Sequence, residues 1–526
     1  MIYNKRRFQK FLLLVGIVVL IACSCKPDSS KKDLAKLSLK TPRDTVRPMD
    51  TTKIESFFLK YPEFSTHKLN VTQLYQKYNR FIWFKNNGLT EFAQVLFNQV
   101  VQLDNEGIKT PVPYRHQYDE IFYTEKGNLA TITSELLISC LYFYYIKNVY
   151  EGIDTEISEN LQWHLPREKV SYASLLDTLM LKPDLIGKER PAFFGQYYNL
   201  RKALWQFKQI EKKGGWKSIA FSPEMLPFKK GDTSATVASV RSRLFKEGYI
   251  ANDSGELIFD NELIDGILKY QRRHNRTSDS LITKSLISEL NIPVAERIKT
   301  ISVNMERCRW ITPNLIKAKE FIAVNIPSYR LHYIQNGKPV LISKVVVGRE
   351  LNKTVVFSGE MSYIVFNPYW NVPNSILKNE IVPEMHKDPN YLSKHNMEWH
   401  EGRLRQKPSK NNSLGLVKFM FPNSNNIYLH DTPAKSLFNQ EQRAFSHGCI
   451  RVEKARELAI AILGTDSDEK KIDRLMDGSE EKVVKLKEKI PVYIAYFTAW
   501  ADEDGNIAFF KDIYNRDTEL AQLLHL

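Results

Sequence analysis

The hydrophobic pattern changes its period once along this chain of 526 residues, and that change limits the fold more than any other feature. Between residues 53 and 310, apolar residues recur at the i, i+3, i+4 spacing of amphipathic helices. From residue 321 onward, apolar and polar residues alternate in short runs, which is typical of strands with one buried face. We therefore predict an α+β multidomain protein.

The helical part divides into three segments. Residues 53–222 predict a helical scaffold domain, and residues 134–150 within it are apolar nearly all round, which indicates a central core helix. Residues 223–292 contain two amphipathic helices and a shorter third one, which predict a small helical domain. Residues 293–318 predict a helix that connects this small domain to the C-terminal part of the chain.

The remaining part is β-rich. Residues 319–497 predict a domain that we expect to be antiparallel, with a hairpin turn at Asn336 and Gly337. Within it, residues 375–410 are rich in charge, His and Asn and show little strand pattern, so we expect a lid or a disordered segment. Residues 498–526 predict a C-terminal hairpin and tail.

The N-terminus resembles an export signal. Four basic residues, at positions 5, 6, 7 and 10, precede an apolar run from residue 11 to residue 22 that is too short to span a bilayer comfortably. We predict a signal peptide at residues 1–22, with an uncleaved N-terminal anchor as the alternative. Residues 23–52 are polar and without periodicity, which predicts a tether. Either interpretation places the rest of the chain outside the cytoplasm.

The chain is basic, with a net charge of +15 that falls to +11 once the four basic residues of segment 1–22 are removed. It has no basic stripe interleaved with aromatic residues and no nucleic-acid-binding motif, so we expect no nucleic-acid partner. Attraction to anionic envelope polymers or membrane surfaces, or simply solubility, accounts for the charge.

The candidate catalytic residues are concentrated between positions 428 and 452. Cys449 lies 19 residues after His430, and an imidazole is the usual group that holds a catalytic thiol ionised. We predict Cys449 as the nucleophile and His430 as its base. Gly448 precedes the nucleophile and lets the backbone turn tightly, so the amides of Gly448 and Cys449 are the expected oxyanion donors.

A zinc site is the other interpretation of this cluster. His430, His447 and Cys449 lack the paired short spacing of structural zinc sites, so we predict no metal and no organic cofactor. The buried-helix position of Cys140 and the connecting-helix position of Cys308 indicate packing roles for these two cysteines.

Ser446, His447, Gly448, Cys449 and Arg451, with His430 upstream, resemble the S/T-H-G-C-x-R pattern of the YkuD-like L,D-transpeptidases of bacterial cell walls. The resemblance implies a murein L,D-transpeptidase that forms 3-3 cross-links from tetrapeptide stems through a thioester on the cysteine. It also implies that Ser446 and His447 shape the loop. Arg451 is expected to pair with a substrate carboxylate, or else to form a surface ion pair.

Asp431 follows the predicted base directly. We expect it at the substrate-binding side of the site, and the resemblance implies that its backbone carbonyl orients His430, because the family places various residues at this position.

Landmarks upstream resemble the long, YcbB-like class of these enzymes, namely residues 81–83, 105–108 and 214–217. Residues 223–292 resemble a peptidoglycan-binding-like domain but carry Ser280 after Asp279, where the family has Gly; both glycan binding and a spacer role stay open. The class places a capping loop at residues 375–410. Residues 20–23 resemble a lipobox, which implies cleavage before Cys23 and a lipid on its thiol.

The expected function is therefore that of a monomeric, periplasm-facing lipoprotein, anchored in the outer membrane rather than the inner one, that uses peptidoglycan stem peptides as donor and acceptor. An L,D-carboxypeptidase and an enzyme that anchors proteins to the wall share the same site and remain alternatives. A non-catalytic wall-binding lipoprotein is the alternative from a different class.

Overall fold

The computed structural model describes residues 47–526 except 86–87, 125–129, 168–170, 187–193, 313–314, 316 and 465–468. The predicted signal peptide, Cys23 and nearly all of the predicted tether lie outside the described residues. None of the helices within the described ranges is long and apolar enough to cross a membrane.

The first part of the described chain is helical, as the periodicity predicts. Its core surrounds the nearly all-apolar helix predicted at residues 134–150, whose observed bounds are Ile132–Ile146. Thr131 caps this helix by accepting a hydrogen bond from the Ser134 amide, and the Ser134 side chain accepts one from the Thr131 amide in return. The elements are α1 (Lys53–Lys60), α2 (Lys68–Tyr78), β1 (Phe84–Lys85), β2 (Gly88–Leu89), α3 (Glu91–Val101), α4 (Arg115–Tyr123), α5 (Ile132–Ile146), α6 (Thr155–Asn160), β3 (Trp163–His164), α7 (Tyr172–Leu181) and α8 (Gln196–Lys212).

The small helical domain follows with its own hydrophobic core. Its three helices are α9 (Ala235–Lys246), α10 (Asn261–Arg273) and α11 (Lys284–Leu290), and side chains of Ser234, Asp260 and Thr283 cap them. The connecting helix α12 (Val294–Arg309) is buried along most of its length. It packs mainly against α8 and also contacts α18 (Arg516–Leu523), so it joins the N-terminal and C-terminal parts of the chain.

The C-terminal half of the chain forms most of a ten-stranded sheet. Asn336 and Gly337 both have positive φ in the predicted hairpin turn between β5 and β6, as a tight hairpin requires. The elements are β4 (Glu320–Asn325), β5 (Arg330–Gln335), β6 (Lys338–Gly348), β7 (Val356–Phe366), β8 (Trp370–Asn371), α13 (Asn374–Ile376), α14 (Val382–Lys387), α15 (Tyr391–Lys394), β9 (Met397–His400), β10 (Arg403–Gln406), β11 (Val417–Met420), β12 (Leu429–His430), β13 (Ala444–Ser446), β14 (Ile450–Val452), α16 (Ala455–Leu463), α17 (Glu469–Met476), β15 (Lys482–Ala495), β16 (Ala499–Ala501) and β17 (Ile507–Phe509).

The sheet is mixed, so the expectation of an antiparallel domain is wrong. Strands β15 and β4, β12 and β14, β13 and β6, and β3 and β7 pair in parallel. Alternation in the sequence reports which face of a strand is buried but carries no information on the direction of its neighbour. The order of the main path is β11-β12-β14-β6-β5-β4-β15-β7-β3.

The capping segment at residues 375–410 is a folded unit with regular structure. It contains α13, α14, α15 and the hairpin β9–β10, which with β8 forms a three-stranded sheet. Val372, Ile381 and Leu404 form its small core, which lies apart from the main one. The sequence pattern missed this structure because its elements have only three to six residues each, fewer than a periodicity needs.

The N-terminal helical region and the sheet share one core. Trp163 on β3 is buried, pairs with Val356 at the edge of the main sheet, and packs edge-on against Trp310 and Phe497 at ring distances of 5.2 and 5.9 Å. Helix α8 also contributes to this core. The predicted scaffold segment 53–222 is thus divided between two cores, because β3 and α8 pack with the sheet whereas α7 packs in the core around α5.

Replacing Trp163 by Ala is expected to lower the free energy of unfolding by about 3–5 kcal/mol, because a large buried side chain leaves a cavity between the two parts of the chain. Chemical denaturation followed by circular dichroism measures this. Trp205→Ala is the matched control: the Trp205 side chain is 60% exposed on α8, so its loss should change stability by only about 0.5 kcal/mol. Equal losses in the two variants would contradict the shared core.

Candidate active site

The two residues predicted to react lie on neighbouring strands of the main sheet. β12 pairs in parallel with β14, with Leu429 opposite Ile450 and His430 opposite Arg451. Leu429, Ile450 and Val452 point into the hydrophobic core and are fully buried. Because side chains alternate along a strand, Tyr428 and His430 share the opposite face with Cys449 and Arg451. Nucleophile and base are therefore diagonal neighbours on one face of the sheet.

A third strand completes this face. β11 pairs antiparallel with β12 and places Lys418 opposite His430. The Lys418 ammonium lies 3.9 Å from the centre of the Tyr428 ring, and the side chain is half-buried between the core residues Val417 and Phe419. We call Lys418, Tyr428, His430, Cys449 and Arg451 the thiol face.

The thiol itself is half-buried. Its Sγ lies 3.7 Å from the carbonyl oxygen of Asn426, to which it donates. Burial raises the pKa of Cys449, while the neighbouring amide and hydroxyl of Tyr428, and then the charges of Lys418 and Arg451, lower it without offsetting the burial. A resting thiolate, as the sequence suggested, is therefore disfavoured in this state.

His430 is held by backbone carbonyls. Nδ1 lies 2.5 Å from the Asp431 carbonyl oxygen, and the backbone of Leu414 also favours the protonated ring. The Asp431 contact is the one expected from the sequence; it fixes the proton on Nδ1 and leaves Nε2 as the basic nitrogen. Burial, followed by the charge of Arg451, lowers the pKa of His430 to about 3, so the imidazole is neutral near pH 7.

The carboxylate of Asp431 is engaged within the protein. One oxygen accepts the Leu416 amide at 3.0 Å, and the other pairs with Lys435 at 2.6 Å. Both carboxylate oxygens are occupied and the side chain is buried, so the carboxylate of Asp431 is held by the protein itself. The substrate-binding role that we predicted for Asp431 from the sequence does not fit these contacts.

The loop around the nucleophile is tied to the sheet by hydroxyl groups. Ser446 Oγ donates to the Cys449 carbonyl at 2.5 Å and accepts the Gly448 amide at 3.2 Å, while Thr354 donates to the Gly448 carbonyl at 2.9 Å. Gly448 has a φ of 114°, a conformation that L side chains rarely adopt. The Gly448 amide thus already has a partner, and the Cys449 amide is the expected oxyanion donor that stays free among the described contacts.

The capping segment reaches this loop through one carboxylate. Glu380, in the π-helical turn Leu377–Ile381, lies 2.6 Å from His447 Nε2 and 3.9 Å from the Arg349 guanidinium. Arg349 is in turn 3.3 Å from the same ring nitrogen. His447 therefore faces the cap rather than the thiol.

Arg451, like Lys418, is a charged group on this face that lacks a counter-ion among the described residues. Among the described residues it has no ion pair, and its Nε is buried without a hydrogen-bond partner. Burial lowers its pKa, and the Cys449 thiolate is the group that opposes this shift. An unpaired guanidinium beside a nucleophile is suited to a carboxylate supplied by a substrate.

Sequence reasoning missed Tyr428, Lys418 and Thr354. A signal for Tyr428 exists, because it lies two residues before His430 and so on the same face of a strand. Lys418 and Thr354 come from distant segments, and only the pairing of β11 and the fold of the loop before β7 bring them to the site.

Lowering the pH from 7 to 5 should destabilise the wild-type protein more than His430→Gln, by about 2 kcal/mol at pH 5. The unfolded histidine titrates near 6.5 and the folded one near 3, so the unfolded state binds more protons between these values and stability is lost as the pH falls. Urea denaturation at both pH values measures the difference. Other buried histidines affect both proteins alike, and an identical response would show that the folded imidazole is charged.

Removing the charge of Glu380 with Glu380→Gln should loosen the cap. The Glu380–His447 pair is half exposed and contributes up to about 1 kcal/mol to holding the cap against the loop. Amide hydrogen exchange in residues 374–381 should therefore accelerate about two- to fivefold. Glu384→Gln is the matched control, since Glu384 pairs with Lys387 inside the cap and not with His447 or Arg349. Equal exchange in both variants would contradict the role of Glu380.

Two family models match the chain. Residues 319–485 match the YkuD model, described as the L,D-transpeptidase catalytic domain, and residues 70–204 match a model described as the scaffold domain. A Haemophilus influenzae protein named provisionally as an L,D-transpeptidase is 35% identical over 242 residues, which are 42% of this chain and 48% of the relative. The chain thus spans about half the length of this curated relative.

Solved structures with a partial likeness include an L,D-transpeptidase from Stackebrandtia nassauensis, 11% identical with a TM-score of 0.22, covering 51% of this chain and 94% of that one. Another is an L,D-transpeptidase from Mycobacterium smegmatis, 13% identical with a TM-score of 0.19, covering 34% and 58%. Scores this low add nothing to the assignment, which rests on the matched domain models. The chain therefore carries a YkuD L,D-transpeptidase catalytic domain at residues 319–485, which follows a scaffold domain at residues 70–204.

Proposed function

We propose that this protein is a cysteine-dependent murein L,D-transpeptidase that joins two peptidoglycan stem peptides through a 3-3 cross-link. The observation that carries the proposal is the parallel pairing of β12 with β14, which puts Cys449 and His430 on one face of the sheet inside the matched catalytic domain. A nucleophile and a base in such positions support acyl transfer.

The first half of the reaction acylates Cys449. The sulfur attacks the carbonyl carbon between the third residue and the terminal D-Ala of a tetrapeptide stem, and a C–S bond forms while the carbonyl electrons move to oxygen. His430 takes the thiol proton on Nε2 and passes it to the departing amine as the C–N bond breaks. A thioester and free D-Ala result.

The second half transfers the acyl group. The side-chain amine of a neighbouring stem attacks the thioester carbon, loses a proton to His430, and expels the Cys449 sulfur as a thiolate that takes the proton back. The free Cys449 amide stabilises the oxyanion in both steps. In this scheme the Arg451 guanidinium binds a carboxylate of the donor stem, since it has no counter-ion among the described residues.

His430 begins each cycle neutral, as a base must. Its low pKa means that it gives up a captured proton readily, which suits delivery to the leaving amine but makes it a weak acceptor in the free protein. The thiol is therefore expected to ionise mainly once a substrate carbonyl is in place.

The substrate implies a location in the cell envelope. We propose the location that the sequence suggests, a periplasm-facing lipoprotein with its lipid on Cys23, which would let the polar segment 23–52 carry the catalytic domain toward the peptidoglycan.

Incubating the full-length protein with a disaccharide-tetrapeptide should give a covalent adduct on Cys449, free D-Ala and a 3-3 dimer, which intact-protein mass spectrometry and product analysis detect. Cys449→Ala should abolish all three, because no other described cysteine reaches the surface. Cys140→Ala, which alters a cysteine buried in α5, should retain them. Tripeptide without dimer would instead indicate a carboxypeptidase, and neither adduct nor product would overturn the proposal.

A further inference from the structure

The positive charges on the thiol face lack counter-ions. Lys418 and Arg451 have no hydrogen bond or ion pair among the described residues, and the Nε atom of Arg451 is buried without a partner. Both side chains are half-buried, so their charges are screened less by water than those of surface residues. Among the groups that can become negative, the Cys449 thiol has the largest electrostatic interaction with each of them.

Lys418 reaches the thiol by way of Tyr428. Its ammonium lies over the face of the Tyr428 ring, at 3.9 Å from the ring centre, which is a favourable cation–π distance. The parallel pairing of β12 with β14, with Leu429 opposite Ile450, places Tyr428 beside Cys449 one position earlier. Tyr428 thus lies between the ammonium and the sulfur, while the antiparallel pairing with β12 fixes the strand that carries Lys418.

The other charged groups that face Lys418 do not replace this partner. His430, opposite it on β12, is neutral, because burial keeps its pKa near 3. Glu481 interacts with Lys418 electrostatically, but less than Cys449 does, and its carboxylate accepts the Tyr369 amide at 2.8 Å. Arg451, on β14, carries the same sign as Lys418 and can only reinforce its effect on the sulfur.

We propose that Lys418, held over the Tyr428 ring, is the charge partner of the Cys449 thiolate, a role that the sequence pattern would give to His430. In this arrangement the histidine carries the proton and the lysine stabilises the negative sulfur that remains. Lys418 is a positioning residue, since it acts on the nucleophile and touches no reacting bond. The inference concerns the proposed acyl transfer, but it rests on a property of the thiol that can be measured without any substrate.

Burial disfavours the charged form of Lys418 and also the charged form of Cys449. It lowers the pKa of Lys418, and the interaction with the thiolate is the first cause that opposes this shift. On the thiol, the charge of Lys418 ranks ahead of that of Arg451 among the groups that favour the thiolate. Removing the ammonium should therefore make the thiolate harder to form.

The test is the pH dependence of Cys449 alkylation by iodoacetamide, a neutral reagent that reacts with the thiolate. Trypsin releases Cys449 in the peptide of residues 444–451, between Arg443 and Arg451, so mass spectrometry of full-length protein can quantify this cysteine alone. The midpoint of the rate against pH gives the pKa of the thiol.

In Lys418→Met, which keeps the length of the side chain and removes its charge, we expect the midpoint to rise by about one pH unit. At a fixed pH below the midpoint, alkylation should then be about tenfold slower. Lys418→Arg should restore the wild-type midpoint, because it restores the charge. Lys489→Met, which removes an exposed lysine paired with Glu360, is the matched control and should leave the midpoint unchanged.

An unchanged midpoint in Lys418→Met would overturn the inference, and so would a rise that Lys418→Arg fails to reverse, since that would reflect lost packing. If Lys418→Met does not fold, as judged by circular dichroism, Lys418→Gln gives the same readout. If the wild-type protein fails to transfer acyl groups but Lys418→Met shows the expected rise of the alkylation midpoint, only the proposed function would be overturned. The proposed function and the role of Lys418 can therefore be tested separately.

Discussion

The parallel pairing of β12 with β14 is the contact on which the site depends. Two strands of two and three residues, Leu429–His430 and Ile450–Val452, bring together the predicted base and the predicted nucleophile, which are 19 residues apart in the chain. Their outward residues form the thiol face and their inward residues are buried in the main core. Since side chains alternate strictly, a shift of one residue in this pairing would turn Cys449 away from His430 and into the core.

Such short strands cannot maintain this register alone, so the surrounding structure supports it. β6 pairs with β14 on one side and β11 with β12 on the other. In the segment that joins β12 to β14, β13 pairs with β6. The hydroxyls of Ser446 and Thr354 hydrogen-bond to the backbone of the nucleophile loop. The small helical domain adds a contact to the same segment, because the Thr277 amide donates to Glu441 at 2.9 Å. That domain is thus part of the support of the catalytic loop as well as a candidate for glycan binding.

The electrostatics of the site follow from burial. A neutral His430 and a Cys449 whose pKa is raised describe a site at rest, in which ionisation of the thiol waits for a partner or a substrate. Two unpaired cations, Lys418 and Arg451, are the groups that can meet negative charge there, and the cap covers the adjacent loop through Glu380. A thiol that stays protonated at rest reacts slowly with oxidants and other electrophiles.

Much of this could be predicted from the sequence, and the successes share a cause. Helix periodicity, the Asn336–Gly337 turn and the Ser446-to-Arg451 run are local patterns, so residues close in the chain report on them; the contact between Asp431 and His430 was predicted for the same reason. The failures are matters of pairing. The direction of the strands, the partner of the Gly448 amide and the presence of Lys418 on the thiol face depend on segments far apart in the chain. The sequence by itself determined which residues are candidates for the chemistry, whereas only the tertiary structure decided their ionisation and their neighbours, because burial and strand register arise when distant segments pack together.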